Sequence, residues 1–171
     1  ICRLYGLKAV QRNGILYTGL MSIESDNVVY THAYQLLQSQ CTVQRLAGSS
    51  LVLTALIQEG HDNSANMVLD GKDETSWQEG VDGVGIGEQL TFQFNKECKV
   101  RYLSLKLGNW RNSDYYWKNN RPRTLEITTN NGTTATITFP DEQKECWVEF
   151  SEDCPASDIN IMIKDVYEGT S

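Results

Sequence analysis

The sequence predicts an all-β fold, a sandwich or jelly roll running from about residue 46 to 171, preceded by a small α+β extension over residues 1–45. Three observations predict it: period-two alternation in successive segments, an Asn-Gly hairpin signal, and no helical pattern between the alternating segments. Leu51, Leu53, Ala55 and Ile57 alternate with small or polar residues, and Leu90, Phe92 and Phe94 alternate with Gln89, Thr91 and Gln93. Leu103, Leu105 and Leu107 do the same against Ser104 and Lys106. Such alternation puts one face in a core and the other in water. Leu125 and Ile127 lead into Thr128–Thr133, with Ala135, Ile137 and Phe139 following, so a hairpin is expected at Asn131-Gly132. Asn-Gly supplies the positive φ values a tight turn needs. Cys146, Val148 and Phe150, then Ile159, Ile161 and Ile163, give the last inward sets. About seven short strands at these spacings make a sandwich or jelly roll. Strands that do not alternate with helices exclude a nucleotide-binding α/β sheet.

The extension reads differently. Arg3–Gln11 and Ile15–Ile23 are expected as two short strands around the turn Arg12-Asn13-Gly14. Val28–Gln40 carries Val29, Ala33, Leu36 and Leu37 at helical spacing, with Ser25-Asp26-Asn27 placed to cap it. No activity is assigned to this part, which reads as an accessory lobe or the tail of an upstream domain.

Bulk properties narrow the function. At 171 residues with 40% apolar and 22% charged residues, the chain is one globular domain with room for a small addition. A net charge of -7 repels phosphate backbones and anionic membranes, and the densest basic cluster, Lys118 to Arg123, holds only three cations. Nucleic acid is therefore not an expected partner, and no apolar run of ~18 residues predicts membrane insertion. The start at Ile1, without a Met or an apolar leader, reads as a fragment or mature form. None of the five cysteines forms a C-x-x-C pair. Cys146 and Cys154 either pair or remain buried free thiols, and the odd count argues against a fully oxidised scaffold.

The most informative stretch is Leu69–Glu88. Glycines at 80, 83, 85 and 87 give a loop that accepts positive φ and lets a ligand approach the backbone. A strand follows it rather than a helix, so Gly83-Val84-Gly85-Ile86-Gly87 is no dinucleotide loop. Asp70, Asp73 and Thr75 place oxygen donors in a tight turn that suits calcium as a structural ion. The alternative is an Asx turn in which Asp70 bonds backbone N–H groups.

Ala47-Gly48-Ser49-Ser50-Leu51, then Ala65–Gly71 with Thr75 and Trp77, resembles the opening of discoidin-type, galactose-binding-like domains. Trp77-Gln78-Glu79-Gly80, Gly83, Gly85–Glu88, Asn119-Asn120-Arg121-Pro122 and the ending Ile163–Gly169 are more specific. They resemble the glycan-binding translocation domain of bacterial NAD glycohydrolases. The resemblance implies a galactose-binding-like jelly roll with a glycan site in loops at one end. It also implies a calcium near Asp70, Asp73 and Thr75, and an extracellular or cell-surface setting within a larger protein. The family's closing strand, with an acidic residue, would follow the Val-Tyr-x-Gly block, and is expected to be missing here.

The residue chemistry agrees. Sugars are held by aromatic faces and a few oriented polar groups. The candidate ligand-binding residues are Trp77, Glu79, Glu88, Trp110, Tyr116, Trp117, Asn119, Asn120 and Arg121. The alternative packs Trp77 and Trp117 on the sandwich and uses Arg121 to tie loop carbonyls together or to pair with Glu79 or Glu88. Catalysis has little support: the only histidines are His32 and His61, and no G-x-S-x-G, H-E-x-x-H or P-loop motif occurs. The expected function is a non-catalytic glycan-binding module. A protein-binding scaffold, with other domains of the parent protein as partners, is the second class.

Overall fold

The computed structural model describes residues 2–6, 19–22, 43–49 and 63–170. Seven strands run in the order β1 (Cys2–Gly6), β2 (Gly19–Ser22), β3 (Val43–Gly48), β4 (Gln89–Leu105), β5 (Arg121–Thr129), β6 (Thr134–Thr138) and β7 (Cys146–Tyr167). A 3-10 turn at Ala65–Leu69 and one short helix, α1 (Ser113–Lys118), complete the described elements.

Two long strands organise the sandwich. β4 and β7 pair antiparallel over most of their length, and each changes neighbours half-way. Gln89–Phe94 of β4 and Ile159–Met162 of β7 lie in the layer β3-β4-β7-β5-β6. Val100–Leu105 of β4 and Cys146–Glu149 of β7 lie in the layer β1-β4-β7-β2. The passage between layers is written in the burial. Leu90, Phe92, Phe94, Cys98 and Val100 point inward at even positions, whereas Leu103 and Leu105 do so at odd ones. The ladder slips between Val100 and Tyr102, which is what inverts the parity. The alternating segments expected over 89–94 and 103–107 are thus, as far as Leu105, one strand whose ladder to β7 is interrupted twice.

The expected hairpin of β5 and β6 is present, with Leu125 opposite Ile137 and Ile127 opposite Ala135 across a three-residue loop closed by Thr129 and Thr133. Gly132 sits at φ 87, the conformation Asn-Gly was expected to provide. Asn131, within a formal N-glycosylation triplet, donates its side-chain amide to the Pro155 carbonyl at 2.7 Å.

At the N-terminus β1 pairs β4 and β2 pairs β7. The turn expected at Arg12-Asn13-Gly14 lies outside the described residues. The helix expected over Val28–Gln40, the strand over Leu51–Ile57 and both histidines lie outside the described residues. Cys146 and Cys154 are buried free thiols, and Cys98 is disulfide-bonded. Among the described residues no helix is long and apolar enough to cross a membrane.

Phe92, fully buried at 0% exposure, lies at the centre of the core. Phe92→Ala should lower the unfolding free energy by about 3–5 kcal/mol, read from denaturant titration at unchanged m-value.

Candidate functional site

The loops at one end of the sandwich are assembled around one arginine. Arg121 opens β5 and is 4% exposed. Its Nε and Nη2 donate to the two carboxylate oxygens of Asp141 at 2.7 and 3.0 Å. Its Nη1 donates to the carbonyls of Tyr116, Trp117 and Asn119 at 3.2, 3.2 and 2.8 Å. These are the carbonyls a helix end leaves unsatisfied, so Arg121 caps α1 from below while a bidentate pair fixes its own plane. The guanidinium carbon also lies 5.3 and 5.0 Å from the ring centres of Tyr116 and Trp117. Asn112 caps the other end of α1, accepting from the Tyr115 N–H at 2.8 Å.

Two glycines let neighbouring segments close onto this anchor. A Cβ on Gly108, at φ +86, would sit 3.1 Å from both Arg121 Cγ and Tyr116 Cε2. A Cβ on Gly169 would collide with the Lys118 carbonyl. The tail beyond β7 is stitched to α1 at that point, with Gly169 N–H donating to Asn120 Oδ1 and Thr170 N–H to the Trp117 carbonyl.

The result is a groove of ≈ 310 Å³ bounded by Trp77, Glu79, Val84, Asn109, Asn119 and Asn120, with Pro122, Ile163 and Val166 also lining it. Trp77 is half-buried and packs against the core with its other side. An apolar cavity of ≈ 90 Å³ is lined by Val68, Leu90 and Leu125 and shares Trp77, Gly108, Pro122 and Ile163 with the groove.

Four polar side chains are oriented by one backbone hydrogen bond each. Glu79 Oε2 accepts from Val81 N–H at 2.9 Å, and Asn109 Oδ1 from Arg111 N–H at 3.1 Å. Asn119 Nδ2 donates to the Tyr115 carbonyl at 2.7 Å, and Asn120 Oδ1 accepts from Gly169 N–H at 2.9 Å. Each bond uses one end of its group and leaves the other: Glu79 Oε1 and Asn119 Oδ1 as acceptors, Asn109 and Asn120 Nδ2 as donors. Glu79 is further confined by Gly85, at φ +76, where a Cβ would lie 2.9 Å from the Glu79 carboxyl. The glycine-rich loop therefore serves to seat a carboxylate as well as to turn the chain.

Not every expected residue is at the groove. Trp77, Glu79, Asn119 and Asn120 line it. Arg121 does not, because its guanidinium is committed to Asp141 and three carbonyls, as in the loop-tying alternative but with Asp141 in place of Glu79 or Glu88. Tyr116 is 2% exposed and belongs to the packing under α1. Glu88 accepts from Ser49 Oγ at 2.6 Å, bracing the end of β3. Trp110 donates its indole N–H to the Leu107 carbonyl at 2.8 Å, with Lys106 Nζ 4.9 Å over its ring. Trp117 is 42% exposed on the outer face of α1. Sequence reasoning missed Asn109 and Asp141, for which no motif or periodicity gave a signal.

In the Asp70 turn, Asp70 Oδ1 accepts from Lys72 N–H at 2.9 Å and Oδ2 from Thr75 Oγ1 at 2.7 Å. Thr75 Oγ1 also lies 3.2 Å from the Lys72 carbonyl, so three oxygens converge, while Asp73 is drawn away to Lys106 at 2.7 Å. Among the described residues no group of three or more His, Cys, Asp or Glu side chains is arranged to hold a metal.

Residues 41–171 match the model of the NAD glycohydrolase translocation F5/8 type C domain. The chain belongs to that family. The fold of this F5/8 type C domain is shared with solved structures at low identity. The family 32 CBM from C. perfringens NanJ in complex with galactose is 22% identical at a TM-score of 0.55, over 77% of this chain and 88% of that one. The CBM32-1 and CBM32-2 domains of Clostridium perfringens ZmpB are 13% identical at a TM-score of 0.59, over 86% of this chain and 36% of theirs. A weaker likeness, 21% identical at a TM-score of 0.44 over 54% of this chain and 83% of that one, is found with the Streptococcus pyogenes NAD+-glycohydrolase translocation domain and carries no argument for the shared fold. No curated protein sequence matches the chain.

Two outcomes follow from the anchor of this F5/8 type C domain. Asp141→Ala strands a buried cation and should cost about 2–3 kcal/mol in denaturant unfolding. That is less than a fully buried pair would lose, because Asp141 keeps 31% of its side-chain exposure. Burial first, then the Asp141 carboxylate, pushes the Tyr116 hydroxyl from 10.0 up to about 12. The folded value lies above the unfolded one, so this contribution is intact below pH 10 and is lost as the pH rises through about 12. Stability measured across that window should fall more steeply in the wild type than in Tyr116→Phe.

Proposed function

We propose that this domain is a non-catalytic glycan-binding module of a bacterial surface or secreted protein, and that the groove beside Trp77 is its sugar site. The observation that carries the reading is the set of four oriented polar groups, two donors and two acceptors, next to one aromatic wall. A sugar hydroxyl both donates and accepts, so paired donors and acceptors suit neighbouring hydroxyls. The aromatic face takes the C–H face of the ring. A groove of ≈ 310 Å³ is at the small end of ligand sites and suits one or two sugar rings. Galactose in the NanJ family 32 CBM, which has this fold, supports the ligand class. A glycosidase reading loses its second carboxylate, because Glu88 is held by Ser49 and is not at the groove.

Calcium enters this proposal as a brace for the loop that leads into Trp77. Asp70, Thr75 and the Lys72 carbonyl supply three oxygens there, about half of the six to eight a calcium takes, with water completing the shell. An ion at that point would replace the Thr75 hydroxyl hydrogen as the group holding the three together. Adding millimolar calcium to chelator-treated protein should raise Tm by several degrees. An unchanged Tm would leave the turn as a self-sufficient Asx motif.

The sugar proposal is tested by a glycan array with wild type, Trp77→Phe and Trp77→Ala. Binding to a defined set of glycans, weakened in Trp77→Phe and lost in Trp77→Ala while circular dichroism stays native, is expected. A blank array from folded protein would reject the reading. Attention would then turn to a protein partner at the exposed Val81 and Ile86 of the glycine-rich loop.

A further inference from the structure

The charge at the groove is one-sided. Among the lining residues Glu79 is the single ionised side chain. The cations nearby have other partners: Arg121 has Asp141, Lys106 has Asp73 and the Trp110 ring, Arg123 has Asp165, Lys118 has Asp114, and Arg111 lies over the Tyr115 ring. None of them lines the groove. The chain as a whole carries -7, so the wider field has the same sign.

Glu79 also cannot easily leave. One oxygen is tied to Val81 N–H, and the carboxyl lies over the buried Gly85 where any other residue would collide with it. A ligand carboxylate or sulfate entering the groove would therefore meet a fixed like charge in a partly desolvated place. Two carboxylates sharing a site cannot both stay ionised without a large penalty. A neutral hydroxyl or amide at the same point can instead donate to Glu79 Oε1, and donors to an ionised acceptor make the stronger hydrogen bonds.

We infer that Glu79 is a specificity-determining residue that makes the groove reject anionic sugars, such as uronic acids, in favour of neutral ones. The inference rests on the glycan-binding reading above and adds a direction to it. Glu79 acts here by direct contact with ligand, and Gly85 acts through it as a positioning residue.

The test uses three probes that differ only at one carbon: galactose, galacturonate and galacturonamide, with the glucose, glucuronate and glucuronamide set alongside. Each is titrated into the full chain by calorimetry or NMR. Galactose-series or glucose-series binding is expected with the uronate weaker than both the parent sugar and the amide by roughly tenfold or more. The amide separates charge from size. In Glu79→Gln, whose amide oxygen still accepts from Val81 N–H, the uronate should gain affinity and close the gap. A uronate that binds wild type as well as its amide, or a gap unchanged in Glu79→Gln, overturns the inference and leaves the glycan reading intact. Uronate and amide both excluded would make the discrimination steric and likewise overturn it. No binding by any member of either set would overturn the glycan reading and this inference together.

Discussion

A single buried guanidinium sets the shape of this end of the molecule. Arg121, the first residue of β5, ties the C-terminal carbonyls of α1, just before it in the chain, to the loop after β6, twenty residues further on. A desolvated cation survives only when its donors are satisfied and its charge is matched, which is why Asp141 meets it with both oxygens. The reward is positional. With α1 held down, Asn119 and Asn120 project from its end, Gly108 brings Asn109 against the same support, and the tail at Gly169 orients Asn120 in turn. The groove's polar groups are thus held in place by the fold itself, and a site that needs no ordering is the kind from which a small ligand gains most.

The division between the two walls follows from the same economy of parts. Trp77, Pro122, Ile163 and Val166 continue the sandwich core to the surface, so the apolar wall is core that happens to be open. The polar wall is built of short side chains pinned by backbone, whose rotamer loss on binding is small. Only Glu79 carries charge, and the glycine-rich loop exists in part to give it room.

Much of the fold was legible because a sandwich core is a period-two code. The β5–β6 hairpin could be read from Leu125, Ile127, Ala135 and Ile137 flanking Asn-Gly, but its register could not, because the loop is Asn130–Gly132 rather than the two residues Asn131-Gly132 alone. Alternation did not reveal that 89–105 is one strand, because the bulge near Val100 inverts parity and looks like a break in the pattern. That β1 pairs β4 and β2 pairs β7 was not legible either, because the edges of β4 and β7 are not visible in the N-terminal sequence. Of the candidates named from residue chemistry and spacing along loops, Trp77, Glu79, Asn119 and Asn120 line one groove. Arg121 and Tyr116 were drawn in by the same reasoning, yet composition does not tell a buried guanidinium from an exposed one. Asp141 and Asn109 were invisible because their roles are created by contacts across 20 residues and by one close-packed glycine.

The measurement that bears most directly on the account is NMR of nitrogen-labelled protein titrated with galactose and with a neutral glycan taken from the array. The account predicts saturable shifts at the Trp77 indole N–H and the side-chain amides of Asn109, Asn119 and Asn120, with the Arg121 and Trp110 resonances nearly still. Shifts centred elsewhere, or none at any concentration in a folded sample, would contradict it.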